Sequence, residues 1–250
     1  GLEMLTNFML VEYKENGNTF IKVVHHVSKD EYIIDIQEDI KNMGLIKTVY
    51  GSDKIIYYHT SLKKPITYYE YNLNDRTSNI VRIKEVPNYN ESLYTTERIF
   101  AKGHDDVSIP ISLIYRKDKV EMDGLNPLYL YGYGSYGITV DPNFRSSILP
   151  LLNRGFIYAI AHVRGGSFLG YKWFEDGKML NKMNTFKDFI SCAEHLIENN
   201  YTIKKQITIE GRSAGGLLVG AALTMRPDLF RTVIAGVPFV DVMNTMCDPS

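Results

Sequence analysis

In Gly211-Arg212-Ser213-Ala214-Gly215 a serine stands between two glycines, directly after the alternating run Gln206-Ile207-Thr208-Ile209-Glu210. A serine hydroxyl is a weak nucleophile at its own pKa. It attacks a carbonyl carbon only when a base takes its proton and a carboxylate orients that base. Gly-x-Ser-x-Gly between a strand and a helix is the pattern of a nucleophile elbow, a sharp turn that lifts the serine to the top of a sheet. The apolar stretch Ala214 to Met225 predicts the helix, and Arg226-Pro227 ends it. Its N-terminal amides and positive dipole end would face the reacting oxygen. The Ala214 N–H would then donate to an oxyanion. These residues point to acyl transfer through Ser213. A strand, a Gly-Ser turn and a helix also occur as plain structure, and spacing alone leaves both readings open.

A second glycine-rich loop, Tyr129 to Gly137, reads YLYGYGSYG. A tyrosine hydroxyl at a strand end donates to developing negative charge as well as an amide does. A tight turn with aromatics packed on a sheet explains the same residues. The base is harder to find. Where this elbow occurs, the partners follow in the order Ser, Asp, His. All six histidines precede Ser213, the last being His195, and Asp228, Asp241 and Asp248 are the aspartates that follow it. His195 falls off the apolar face of its helix and reads as exposed. His25 and His26 lie in a strand-like run with no cluster of metal-ligating neighbours. Two cysteines, Cys192 and Cys247, make neither a disulfide framework nor a metal pattern. Cys192 reads as a small packing residue in a helix. So few cysteines fit a reducing compartment such as the cytosol.

The elements that must position these groups change character along the chain. Residues 1 to about 85 alternate short aromatic and β-branched runs with polar turns, as in a sandwich or in propeller blades. Asn16-Gly17 between two such runs is a hairpin signal. Some eighty-five residues make only about two four-stranded blades. Beyond a connector, VSIPISLIY is a strand whose Pro110 argues for a sheet edge. Strand, helix, strand, helix, strand then alternate: Phe156 to Val163, a helix from Asn184, the strand before Ser213, the helix after it, and TVIAGVPFV. That order builds a parallel α/β sheet. Thr185 with Asp188 three residues on resembles a capping box.

Composition excludes several classes. A formal net charge of −1 with 44% hydrophobic residues in 250 is ordinary globular composition. It offers no electrostatic reason to expect nucleic acid or an anionic membrane as partner. No apolar run approaches the length of a membrane span, and the N-terminus lacks the basic lead and cleavage site of a signal peptide. The chain starts at Gly1 and stops in MCDPS, so both ends read as cut.

Five blocks in order, LYGYGSYG, AHVRGGSFLGYKWFEDGK, KMNTFKDFI, GRSAGGLLVGAALTMRPDLF and VIAGVPFVDVMNTM, resemble the prolyl oligopeptidase family of serine peptidases, nearest its oligopeptidase B branch. The resemblance implies an α/β fold: residues 89–250 as the N-terminal part of an α/β-hydrolase peptidase domain, preceded by the last blades of a β-propeller in residues 1–88. It implies Ser213 as nucleophile, the Ala214 amide and the Tyr133 hydroxyl as oxyanion donors, and Tyr136 with Phe239 as walls of the S1 pocket. The implied substrate is a short peptide cut after Lys or Arg, with neither cofactor nor metal. Phe168 stands where relatives often carry a glutamate, and Arg212 where a glycine is common. The acidic residues that select Lys or Arg in relatives, and the catalytic Asp and His, fall beyond Ser250. The expectation is therefore an inactive fragment of a cytoplasmic peptidase. An esterase on the same fold is the nearest alternative, although esterases usually take both oxyanion donors from backbone amides. A non-catalytic remnant is the other. Oligomeric state is not legible.

Overall fold

The computed structural model describes residues 1–249. The chain divides into two compact units, Gly1–Ser92 with Asp141–Ser147, and Leu93–Val140 with Ile148–Ser250.

The first unit holds eight strands: β1 (Leu2–Met4), β2 (Phe8–Glu15), β3 (Asn18–His25), β4 (Glu31–Ile33), β5 (Asn42–Lys47), β6 (Lys54–Thr60), β7 (Thr67–Asn72) and β8 (Thr77–Ile83). They form two four-stranded antiparallel sheets in chain order, β1 to β4 and β5 to β8. Asn16 and Gly17 both have positive φ, 49° and 75°, and join Glu15 to its partner Asn18. That is the primed two-residue turn whose twist suits a hairpin. Period-two alternation buries Phe8 and Leu10 on β2, Ile21 and Val23 on β3, and Ile55 and Tyr57 on β6 in one core. The Leu45 N–H donates to Glu12 Oε2 at 2.9 Å and ties one sheet to the other.

One residue of this core is expensive. His59 is fully buried on β6, and neither ring nitrogen has a hydrogen-bond partner among the described residues. Glu38 Oε2 stands 3.9 Å from its Nε2, beyond hydrogen-bond reach. Burial, then the charges of Lys64 and Lys41, takes the imidazole from 6.5 down to about 4. An unfolded chain therefore binds this proton more readily than the folded one between those values. The stability is present above pH 6.5 and is lost as pH falls toward 4, by about 3 kcal/mol. Urea midpoints between pH 7 and 4 should show this decline in the parent and a flatter one in His59→Leu; equal slopes would rule out His59 as the cause.

The second unit is built on β9 (Tyr94–Lys102), β10 (Ser108–Arg116), β11 (Leu128–Tyr131), β12 (Ile157–Ala161), β13 (Ile207–Arg212) and β14 (Phe230–Gly236), with helices α1 (Leu149–Leu152), α2 (Tyr171–Glu175), α3 (Lys182–Glu198), α4 (Ala214–Met225) and α5 (Val242–Cys247). The sheet order is β14-β13-β11-β12-β10-β9. The last four strands in sequence pair in parallel, and β9 and β10 extend the sheet antiparallel. Every residue of β12 is buried, as a strand covered on both faces must be. Phe189, Cys192, Ala193 and Leu196 of α3 and Leu218, Val219 and Ala222 of α4 complete the core over Leu130, Ile207 and Ile209.

Two local expectations fail here. Pro110 does not mark an edge, because β10 lies between β9 and β12. Its carbonyl points toward β12 and accepts the His162 N–H at 3.0 Å, one residue past the ladder's end at Ala161. The missing N–H falls on that same side, and the His162 carbonyl it would have met accepts instead from Trp173 Nε1 at 2.9 Å. Thr185 and Asp188 do not cap a helix. α3 begins earlier, at Lys182, and both residues are buried within it. Thr185 Oγ1 donates to the carbonyls of Arg164 and Gly177, and Asp188 binds a guanidinium.

Candidate active site

The carboxyl ends of β11 and β13 meet at the serine. Ser213 is exposed and sits at φ 57°, ψ −116°, a conformation that a side-chain-bearing residue holds only under strain. The fold forces it there. A Cβ on Gly211 would lie 1.9 Å from the Gly215 carbonyl oxygen, so the strand before the turn and the helix after it touch backbone to backbone. A Cβ on Gly216 would lie 2.5 Å from Pro238 Cα. The Ser213 N–H donates to Gly236 O at 2.9 Å, and the Ser213 carbonyl accepts from Phe239 N at 3.1 Å. With its own amide committed, the turn's free donor is Ala214, the first residue of α4, whose N–H has no intrahelical acceptor. Relieving the strain should stabilise the fold. Ser213→Gly is expected to raise the unfolding free energy by about 1 kcal/mol. A thermal melt showing a loss instead would mean that the surroundings do not impose the conformation.

The tyrosine loop lies against this turn. Gly132 N–H donates to Glu210 O at 3.1 Å, continuing the pairing of β11 with β13. Gly215 is the point of approach: a Cβ there would come within 2.8 Å of Gly132 O and 3.3 Å of Tyr133 Cδ2. The Tyr133 hydroxyl has no hydrogen-bond partner among the described residues. Burial, with Tyr136 and Tyr131 nearby, raises its pKa, so it stays a protonated donor at neutral pH. A cavity of about 370 Å³ opens beside Ala214, walled by Tyr136, Phe174, Met179, Lys182, Leu217 and Phe239. Four of the five residues singled out in the sequence thus share one place: Tyr136, Phe239 and Ala214 at the cavity, and Tyr133 pressed on the turn. Ser213 joins them through its bonded neighbour Ala214.

No base joins them. Among the described residues nothing hydrogen-bonds the Ser213 hydroxyl. His162 Nε2 is engaged with Ser112 Oγ at 2.7 Å, and its ring lies flat on Phe168 with centroids 3.5 Å apart. Phe168 is buried, with the Arg98 guanidinium 4.8 Å from its ring centroid. Burial lowers that guanidinium to about 10. His195 is half-buried rather than exposed; its neighbour Asn199 folds back over the ring and onto the His195 carbonyl, and burial lowers the imidazole's pKa. Asp241 precedes α5, where its carboxylate and carbonyl accept from Asn244 and Thr245. Cys192 is fully buried, and burial pushes its thiol pKa up.

Sequence reading missed a charged network under the cavity. The Arg164 guanidinium is 3% exposed and binds two carboxylates at once. Nε and Nη2 donate to Asp188 Oδ2 and Oδ1 at 2.8 and 2.6 Å, and Nη1 donates to Asp105 Oδ2 at 2.6 Å. Burial opposes the charge, but the two carboxylates hold the guanidinium firmly protonated. His104 stands beside Asp105 and Asp188. With Arg164 on both acids, the group reads as an ion-pair network rather than a cation cage. A signal existed: Asp188 falls on the same helical face as Thr185, Phe189 and Cys192, and a carboxylate on a core face demands a partner.

The likenesses that follow extend over the strained serine turn and the tyrosine loop of this chain. Residues 142–250 match the prolyl oligopeptidase family model. Dipeptidyl aminopeptidase BI of Pseudoxanthomonas mexicana is 40% identical over 252 residues, covering 100% of this chain and 35% of that protein. Protease 2 of Moraxella lacunata is 40% identical over 244 residues, with 97% and 35% covered. The chain thus spans about a third of the length of these curated relatives. Among solved structures, oligopeptidase B from Leishmania major superposes with a TM-score of 0.92 at 40% identity, covering 100% of this chain and 36% of that one. Oligopeptidase B from Trypanosoma brucei with covalently bound antipain gives 0.93 at 39%, with the same coverage. The chain belongs to the prolyl oligopeptidase family of serine peptidases.

Proposed function

We propose that this chain is the nucleophile-bearing part of a serine oligopeptidase that cuts short peptides after Lys or Arg. Ser213 Oγ attacks the scissile carbonyl, its proton passing to a histidine supplied by sequence outside these residues. The carbonyl oxygen becomes an oxyanion, held by the Ala214 N–H and the Tyr133 hydroxyl. The amine leaves with that proton, and water then releases the acyl group from Ser213. Tyr136 and Phe239 flank the P1 side chain. Residues 1–88 form the last blades of a propeller that screens out large substrates, and residues 89–250 form the peptidase domain. The protein works in the cytoplasm.

The observation that carries this reading is the strained backbone of Ser213 at the start of α4, with a protonated tyrosine loop packed on the same turn. The two oligopeptidase B structures and Protease 2 support the choice of a peptide over a simple ester, as does the tyrosine in place of a second backbone donor. Because every histidine precedes the serine and none bonds to it, this chain alone has no appreciable turnover.

Fluorogenic Lys and Arg peptides test both parts. The isolated chain should show no Ser213-dependent hydrolysis. The full-length gene product that carries it should hydrolyse them, Ser213→Ala should abolish turnover, and Tyr133→Phe should lower kcat about 100-fold. Turnover that survives Ser213→Ala refutes the nucleophile, and faster cleavage of matched esters with no peptide cleavage returns the esterase.

A further inference from the structure

α3 opens on a lysine in an unfavourable place. Lys182 is the first residue of that helix, where the dipole repels a cation. Its ammonium is half-buried beside the cavity, and no carboxylate pairs with it among the described residues. Desolvation alone brings it from 10.5 to about 8. Two neutral oxygens receive it: the Gly134 carbonyl at 2.5 Å and Ser135 Oγ at 2.7 Å. Both belong to the loop between Tyr133 and Tyr136. Gly134 has φ +69° and rests on Thr185 of α3, Tyr136 has φ 58° and Gly137 φ 66°, so this loop runs through left-handed backbone three times. Its far end is tied by the Gly137 N–H on Gly165 O at 3.0 Å. Lys182 holds Gly134 and Ser135, the two residues that follow Tyr133, while Ser167 Oγ donates to the Gly137 carbonyl at the far end.

A surface lysine would avoid all of these costs. We propose that Lys182 is a positioning residue: by holding Gly134 and Ser135 it fixes the Tyr133 hydroxyl over the serine turn, and so sets the rate of the chemical step. The proposal rests on the reading of Tyr133 as an oxyanion donor. It assigns Lys182 no contact with substrate. Loss of the ammonium frees the loop, and Tyr133 then spends only part of its time where the oxyanion forms. The effect belongs in kcat, because a donor engaged only in the transition state contributes nothing to ground-state binding.

Four forms of the full-length gene product decide it: Lys182→Met, Lys182→Arg, Tyr133→Phe and the double variant Tyr133→Phe/Lys182→Met. Lys182→Met should lower kcat about 20-fold with KM changed less than threefold, and Lys182→Arg should restore most of the loss. In the Tyr133→Phe background Lys182→Met should cost less than a further twofold, because the group it positions is gone. Equal losses in both backgrounds, or a change confined to KM, overturn the proposal. Hydrogen exchange on the present chain gives a readout free of catalysis. Amides of residues 132–137 should exchange at least tenfold faster in Lys182→Met while the global unfolding midpoint holds; unchanged protection refutes the positioning role. If the Met variant fails to fold, Lys182→Gln carries the same comparisons. Parent enzyme without Ser213-dependent hydrolysis would sink the peptidase reading, and the exchange experiment would still decide on Lys182.

Discussion

Gly211→Ala should be the most damaging single methyl group in this chain. The new Cβ would sit 1.9 Å from the Gly215 carbonyl oxygen and 2.4 Å from its carbon, and both are backbone atoms. No rotamer relieves such a clash. Gly215 cannot retreat, since it already abuts Gly132 O and Tyr133. The strand cannot retreat either, because β13 is held between β14 and β11. The turn must open, and with it the first turn of α4. We expect a loss of more than about 4 kcal/mol, in the range reserved for severe core disruption. In a domain of this size that lowers the melting temperature by roughly 10 °C or more. Gly170→Ala is the control for backbone strain without a clash. Unlike Gly211 it has a positive φ, +96°, and its Cβ would meet nothing within 4 Å, so it should cost only about 1 kcal/mol. Similar melts for the two variants would refute the steric account of the elbow.

Arg164→Leu should be nearly as harmful, for an electrostatic reason. Asp188 is fully buried, and its two carboxylate oxygens take the Arg164 Nε, Nη2 and backbone N–H. Leucine leaves that carboxylate in the core with one backbone donor. Breaking one partner of a buried pair typically costs about 3–5 kcal/mol, because the remaining charge is stranded. The double variant Arg164→Leu/Asp188→Leu removes both charges and should recover at least half of the loss. Chemical denaturation of the three variants checks this. If the double variant is no better than Arg164→Leu, the damage comes from the packing of the guanidinium on Trp173, 5.8 Å away, and from Asp105 rather than from a stranded charge.

The sequence made the elbow legible because an alternating strand run, the Gly-x-Ser-x-Gly turn and an apolar run of helix length all coincide at residues 207–225. Asn16-Gly17 was legible for a similar reason: one dipeptide supplies both left-handed conformations that the turn needs. Pro110 and Thr185 misled because their usual preferences describe local backbone only. Pro110 is tolerated inside the sheet because Trp173 Nε1 takes the His162 carbonyl that its missing N–H would have met. Thr185 found carbonyl partners from two other segments, which made it a core residue instead of a cap. The network of Arg164, Asp105 and Asp188 joins residues 59 and 24 positions apart, and no local pattern carries that information. The same holds for Lys182, whose acceptors lie 48 and 47 positions before it. What spacing could reveal was the backbone of one turn between its strand and its helix. What it concealed were the long-range contacts that hold the turn's neighbours in place.

The backbone bonds of Ser213 have a mechanical consequence. Its N–H is fastened to Gly236, and its carbonyl to Phe239 as well as to Gly216 and Leu217 of α4. The serine is therefore not an independent arm but a rung welded to the segment that carries one wall of the cavity. On the proposed reading, a P1 side chain that fits the wall would leave the rung square to its target, whereas one that wedges Phe239 aside would turn the oxygen away. Such a linkage would make a poor fit show up as slow reaction rather than as weak binding.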